Sequence, residues 1–158
     1  RFRPEAIAAP LALLRALAQL QRARTGVLPP LTNAVIAFTR VGEDPVTEAD
    51  RDSFWQVFQV PIFEQFLGFD GRVVAHECEA HDGLHIEEDE AVVEFAGQRD
   101  TELLLTSLTD LRYPALRVGT GLAAGLERRT CGCGRDEPRL TGLASLEGRR
   151  ASGICAAD

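Results

Sequence analysis

The sequence contains no lysine and no methionine, and it has one tryptophan and one tyrosine. All 17 basic residues are therefore arginine, and 24 acidic residues give a formal net charge of -7. Nucleic-acid-binding proteins cluster basic side chains to neutralise phosphates, and no such cluster is visible in the sequence, so we expect no nucleic-acid partner.

No apolar run approaches the roughly 20 residues that cross a bilayer, and no signal-peptide pattern begins the chain. We expect a soluble, cytoplasmic protein that does not insert into membranes.

Length and composition suit one domain. The chain has 158 residues, of which 45% are hydrophobic, enough apolar side chain for a single core. We therefore predict one domain over residues 1–158. Its parts are an α/β part (1–72), a β part (73–140) and a partly frayed tail (141–158).

The first half shows helix and strand patterns in alternation. The stretch "PEAIAAPLALLRALAQLQRARTG" predicts one long amphipathic helix, with Pro4 in its first turn and Gly26 at its end. "NAVIAFT" and "VPIFEQF" predict two buried strands. Between them, Thr47 and Asp50 form a capping-box pattern at the start of a second helix. Strand, helix and strand indicate a parallel pair joined by a crossover helix.

From Val73 onward the apolar runs are short and separated by turns. The segments "VVA", "LHI", "AVVEF", "ELLLTSL" and "ALRV" predict an antiparallel, partly barrel-like sheet. Residues 96–101 predict a hairpin turn. The fold class is therefore α/β, with a parallel strand-helix-strand unit followed by an antiparallel β part.

The cysteines and histidines suggest a metal site. Two residues separate Cys78 from His81, and one residue separates Cys131 from Cys133 in a glycine-rich turn. Three sulfurs and one imidazole complete a tetrahedral zinc set with no position left for a substrate. We therefore predict a structural zinc ion bound by Cys78, His81, Cys131 and Cys133.

Three alternatives remain open at this stage. His85 is an alternative fourth ligand, although a two-residue spacer closes a metal-binding turn more readily than a longer one. The four thiols, which include Cys155, are also able to form disulfides, but adjacent Cys-Gly-Cys pairs are awkward to bridge and no export signal is evident. Finally, they can be free buried cysteines.

Four blocks of sequence carry a resemblance to a known family. They are "GEDPVTEADRDSFWQVFQVPIFEQF", "ECEAHDGLHI", "ELLLTSLTDLRYPALRVGTG" and "CGCGRDEPRL", and they follow one another between about Pro10 and Leu140. In order and spacing they resemble phenylacetate-CoA ligases and coenzyme F390 synthetase-like proteins, of the adenylate-forming (AMP-binding) superfamily. The resemblance implies the later part of the large domain of such a ligase, ending in a small β-barrel. It also implies that the Cys-x-x-His and Cys-x-Cys-Gly elements bind zinc.

The residues that bind nucleotide in that family are only partly kept. In the family a Tyr-Gly-x-Thr-Glu stretch lines the nucleotide site; here Phe69 stands at its Thr, and Asp70 at its magnesium-holding Glu. In the family's Arg-Tyr-x-Thr-Gly-Asp stretch the Asp grips the ribose hydroxyls, and Leu122 stands there in this chain. Leucine offers no acceptor for those hydroxyls. The resemblance thus implies at most a residual nucleotide site, formed by Asp70, Arg117, Thr120 and Gly121.

The predicted function follows from which of the family's motifs the sequence retains and which it lacks. Neither the family's Ser/Thr/Gly-rich phosphate loop nor its catalytic lysine occurs in the sequence. We therefore predict no catalytic residue and expect a zinc-binding, non-catalytic binding or assembly module that forms homodimers or pairs with a ligase-like chain. The alternative is a subunit that binds an acyl or aryl adenylate or a nucleotide. In that case a partner chain completes the active site of an ATP-dependent CoA ligase.

Overall fold

The computed structural model describes residues 3–24, 26–97, 102–109, 112 and 114–146. Within these residues the chain forms nine strands and two helices. In chain order they are β1 (Ala6–Pro10), α1 (Leu11–Ala23), β2 (Ala34–Arg40), α2 (Glu48–Phe58), β3 (Ile62–Leu67), β4 (Val73–Glu77), β5 (Leu84–Ile86), β6 (Ala91–Ala96), β7 (Glu102–Ser107), β8 (Val118–Glu127) and β9 (Arg139–Ser145).

All nine strands belong to one mixed sheet in the order β1-β2-β3-β4-β5-β9-β8-β7-β6. Strands β1, β2 and β3 are parallel, and every pairing from β3 onward is antiparallel. The predicted fold class is confirmed. The sheet stays open rather than closed into a barrel, with β1 at one edge and β6 at the other.

The strand-helix-strand unit forms as its local sequence predicts. Thr47 caps α2 by accepting a hydrogen bond from the amide of Asp50, whose carboxylate accepts one from the amide of Thr47. This reciprocal capping box satisfies two amides that a helix start otherwise leaves unpaired. Both helices contribute to one apolar core with β2 and β3, centred on Leu14, Val35 and Phe54.

The first helix is shorter than predicted. It begins at Leu11, and Ala6–Pro10 is instead strand β1, paired residue by residue with Ala34–Phe38 of β2. Alanine-rich residues tolerate either conformation locally, and the backbone pairing with β2 decides between them. Pro4 therefore lies before the strand and not in the first turn of the helix.

The second half departs from prediction in two places. "VVA", "LHI", "AVVEF" and "ELLLTSL" fall in β4 to β7, whereas of "ALRV" only Val118 belongs to a strand, the first residue of β8. The segment predicted to be a frayed tail begins inside β9, whose Leu140 pairs with both β5 and β8. Residues 98–101 of the predicted hairpin turn and residues 147–158 of the tail lie outside the described residues.

A second apolar core fills the antiparallel half and includes Phe66, Leu103, Leu105, Leu122 and Leu140. The chain thus has two cores along one continuous sheet. In the described part of the chain, neither helix has the length and apolar character that crossing a bilayer requires.

Candidate metal centre

Four soft side chains converge beside the middle of the sheet. Cys78 follows β4, His85 lies in β5, and Cys131 and Cys133 lie in the loop between β8 and β9. Their ligand atoms all lie within 4.8 Å of one another. Cys78 Sγ is 3.6 Å from Cys131 Sγ, and Cys133 Sγ is 3.5 Å from His85 Nε2.

These separations match those required by a tetrahedral ion. With Zn–S bonds of about 2.3 Å and Zn–N bonds of about 2.0–2.1 Å, tetrahedral geometry separates two sulfurs by about 3.8 Å and a sulfur from a nitrogen by about 3.6 Å. A disulfide would require an S–S distance of about 2.05 Å. The three thiols and the imidazole therefore fit a metal ion better than a disulfide, and zinc suits this donor set.

Tight turns position the thiols. The amide of His81 donates to Cys78 O at 3.0 Å, and the amide of Gly134 donates to Cys131 O at 2.9 Å. Gly134 has a φ of 87°, in the left-handed region that glycine adopts without strain. Each turn also directs an amide at a sulfur, from Ala80 to Cys78 and from Cys133 to Cys131. Amides placed in this way stabilise thiolates at metal centres.

The two inner thiols have different electrostatic surroundings. Burial raises the pKa of Cys78 to about 11. For Cys131 the amide of Cys133 lowers the pKa, and the positive charge of Arg139 adds to this shift. Because the thiolate is the metal ligand, the buried Cys78 requires a nearby positive charge to ionise, and a bound cation would supply it.

His85 is buried, with 1% of its surface exposed. Its Nε2 faces Cys133, while its Nδ1 has no hydrogen-bond partner among the described residues, and Glu137 Oε2 lies 3.8 Å from it. Burial, followed by the charges of His76 and Arg135, lowers the pKa of His85 and favours the neutral ring that binds metals. With Nε2 on a metal, Nδ1 would carry the proton and face the Glu137 carboxylate, an arrangement that commonly orients metal-bound histidines.

His81, the histidine favoured from sequence, is not part of the cluster. Its Nδ1 lies 2.9 Å from Glu77 Oε1, and its ring stacks on Phe63 with the ring centroids 5.0 Å apart. The reason lies in strand pairing. His76 of β4 is the register partner of His85, so Cys78, two residues after His76, lies on the same face as His85. Alternate side chains of a strand point to the same face of the sheet. Applied to the β4–β5 hairpin, this rule could have indicated from sequence that His85, rather than His81, lies beside Cys78.

Arg139 is a further residue of the centre that the sequence pattern did not indicate. It is fully buried, and its Nη1 contacts the carboxylate of Asp82 at 2.5 Å, while its Nη2 donates to Arg129 O at 3.3 Å. It therefore connects the β4–β5 loop to the β8–β9 loop, the same two loops that supply the sulfurs. Its charge would also offset the net negative charge of a zinc ion bound by three thiolates.

The four residues proposed for a residual nucleotide site have separate partners. Asp70 accepts from the amide of Arg72 at 3.1 Å, and Arg117 pairs with Glu94. The Thr120 hydroxyl donates to Leu103 O at 2.8 Å, inside the sheet. Of the four, Gly121 lines a cavity of about 460 Å³ that Arg15 and Gly42 also border.

Comparison of the chain with family models and with characterised proteins finds no match by sequence. Solved structures do match in fold. The fold is that of part of an adenylate-forming CoA ligase. An open conformation of 2-hydroxyisobutyryl-CoA ligase with 2-HIB-AMP and CoA matches with a TM-score of 0.72 and 16% identity, over 90% of this chain and 34% of that one.

A second structure of 2-hydroxyisobutyryl-CoA ligase, in the postadenylation state with R3-HIB-AMP, matches equally well. Its TM-score is 0.73 at 16% identity, over 91% of this chain and 33% of that one. The chain therefore spans about a third of the length of the ligase structures that it matches.

Proposed function

We propose that Cys78, His85, Cys131 and Cys133 bind one structural zinc ion. The observation that carries this proposal is the convergence of three sulfurs and one imidazole nitrogen within 4.8 Å. Four protein ligands complete the coordination of zinc, so the ion holds the fold together and has no open position for a substrate.

The zinc ion would join two segments that are distant in sequence. Cys78 and Cys131 are separated by 53 positions, and the strands from β5 to β8 lie between them. A metal bound only by the folded chain contributes its binding energy to folding. The ion would thus fix the β4–β5 hairpin against the β8–β9 loop.

Metal analysis of purified protein tests this assignment. The wild type is expected to contain one zinc per chain, and the double variant Cys131→Ser, Cys133→Ser is expected to lose it. Cys155→Ser is the matched control, because Cys155 is the one cysteine that the proposed site does not use. A double variant that keeps its zinc, or a Cys155→Ser variant that loses it, would contradict the ligand assignment.

We further propose that the chain is a phenylacetate-CoA ligase-like module of the cytoplasm that binds or assembles without catalysing adenylation itself. The contacts of the residual nucleotide residues support this. The Thr120 hydroxyl is engaged inside the sheet, and Leu122, at the position of the family's ribose-binding Asp, is 2% exposed and part of the apolar core. A buried leucine offers a ribose no hydrogen bond.

The second candidate function is a shared active site. The chain covers about a third of each matched ligase chain, and Gly121 still borders a cavity. A ligase-like partner chain, or a second copy of this one, would then supply phosphate-binding and catalytic groups around a bound adenylate.

Calorimetric titration separates the two candidates. ATP, AMP and an aryl-CoA are titrated into the protein with and without magnesium. The non-catalytic proposal expects no heat of binding, whereas a micromolar constant for AMP would contradict it and favour the shared site. Sedimentation analysis of the same sample tests whether the chain forms a homodimer.

A further inference from the structure

A cleft of about 690 Å³ lies between α2 and the strands that follow it. Val46, Pro61 and Leu143, which are partly or largely exposed, give it an apolar lining. At its border stands Trp55 of α2, which is 52% exposed. A large aromatic ring beside an apolar lining favours ligands with an apolar body.

His81 presents a polar group to this cleft. Glu77 has a side chain only 3% exposed, and its carboxylate accepts from Arg51 Nη2, from the amide of Glu64 at 2.9 Å and from His81 Nδ1 at 2.9 Å. A carboxylate with these donors is an acceptor, so the proton of the neutral His81 ring lies on Nδ1. Because His81 lines the cleft, its Nε2 remains as a hydrogen-bond acceptor for a ligand.

The charge of the cleft is negative. Arg51 is the cation among the described lining residues, and Glu77 holds its guanidinium at 3.0 Å. Glu48 lies 3.9 Å from Arg51 and is 94% exposed, and Asp52 is exposed as well. Two solvent-exposed carboxylates and one imidazole acceptor thus border the cleft. The chain's net charge of -7 acts in the same direction.

We propose that this cleft binds a primary ammonium ion carried on an aromatic or aliphatic body. The body packs on Val46 and Leu143, and the ammonium lies over the ring of Trp55, where the negative face of an indole attracts cations. The ammonium is close to Asp52 and donates a hydrogen bond to His81 Nε2. This site uses none of the four proposed zinc ligands.

The single tryptophan makes a direct test possible. Trp55 is the only tryptophan in the sequence, so fluorescence excited at a wavelength that tyrosine does not absorb reports on this cleft alone. Phenethylammonium chloride is titrated at constant ionic strength beside 2-phenylethanol, which is neutral, and phenylacetate, which is an anion. The expected result is a saturable change for the cation and at least fivefold weaker binding for the other two. Equal binding of 2-phenylethanol would overturn the proposal.

Paired charge variants localise the effect. Asp52→Asn is expected to weaken phenethylammonium binding about threefold to tenfold. This is the size of effect expected when one solvent-exposed charge that attracts the ligand is removed. Asp44→Asn makes the same change of charge beside the other cavity and is expected to leave binding unchanged. Equal effects of the two variants would contradict the site. Salt dependence of the wild-type titration is the second measurement, and binding that does not weaken with added salt would also overturn it.

Discussion

Removal of the proposed zinc ion is expected to lower the thermal stability of the protein substantially. A ligand that binds only the folded state, present at about 1,000 times its dissociation constant, stabilises that state by about 4 kcal/mol. For a chain of 158 residues, each kcal/mol changes the unfolding midpoint by about 2–4 °C, so the midpoint is expected to fall by about 8–16 °C. Circular dichroism melts before and after treatment with a chelator measure this change.

Re-addition of zinc, with magnesium as control, shows whether the loss is specific and reversible. The structure also predicts which histidine matters. His85→Gln is expected to melt like the chelated wild type and to be insensitive to chelator, whereas His81→Gln is expected to keep its response. A midpoint that changes by less than about 2 °C on complete zinc removal would refute the reasoning, because such a site would contribute almost nothing to folding.

Two further predictions concern residues outside the metal site. Arg15 pairs with both carboxylate oxygens of Asp50 at 2.7 Å and holds the pKa of Asp50 at about 2, below its ordinary value. The ion pair stabilises the fold above about pH 4, and this stabilisation is lost as the pH falls towards 2. Asp50→Asn is expected to lower the free energy of unfolding at pH 7 by about 1–2 kcal/mol in urea, a modest cost because the Arg15 side chain is 39% exposed. The variant is also expected to lose less stability than the wild type between pH 4 and pH 2. Gly83 has a φ of 94°, and a Cβ there would lie 2.5 Å from Leu140 O, so Gly83→Ala is expected to destabilise by about 1–3 kcal/mol. Gly71→Ala, with a φ of 80° and no atom within 4 Å of the added Cβ, is expected to cost less, and equal costs in the same urea assay would contradict the steric argument.

The parts of the fold that could be predicted from sequence are those with local causes. The capping box at Thr47 marks the start of α2, and the continuous apolar run of β2 indicates a buried strand. Strand β1 could not be predicted in this way, because its alanines favour a helix until they pair with β2.

The candidate metal site likewise combines residues that local sequence indicates with residues that only the three-dimensional fold brings together. The thiols Cys78, Cys131 and Cys133 could be predicted because short spacers hold ligand pairs together. The fourth member depended on strand register, which brings His85 rather than His81 beside them. The buried Arg139 carries no local signal at all, since its role follows from contacts with two distant loops.

Zinc-edge X-ray absorption on the purified protein tests the central claim most directly, because it counts the ligand atoms at the metal itself. The structure predicts three sulfurs at about 2.3 Å and one imidazole nitrogen at about 2.0–2.1 Å. A shell of oxygen and nitrogen atoms alone, or one with fewer than three sulfurs, would contradict the account.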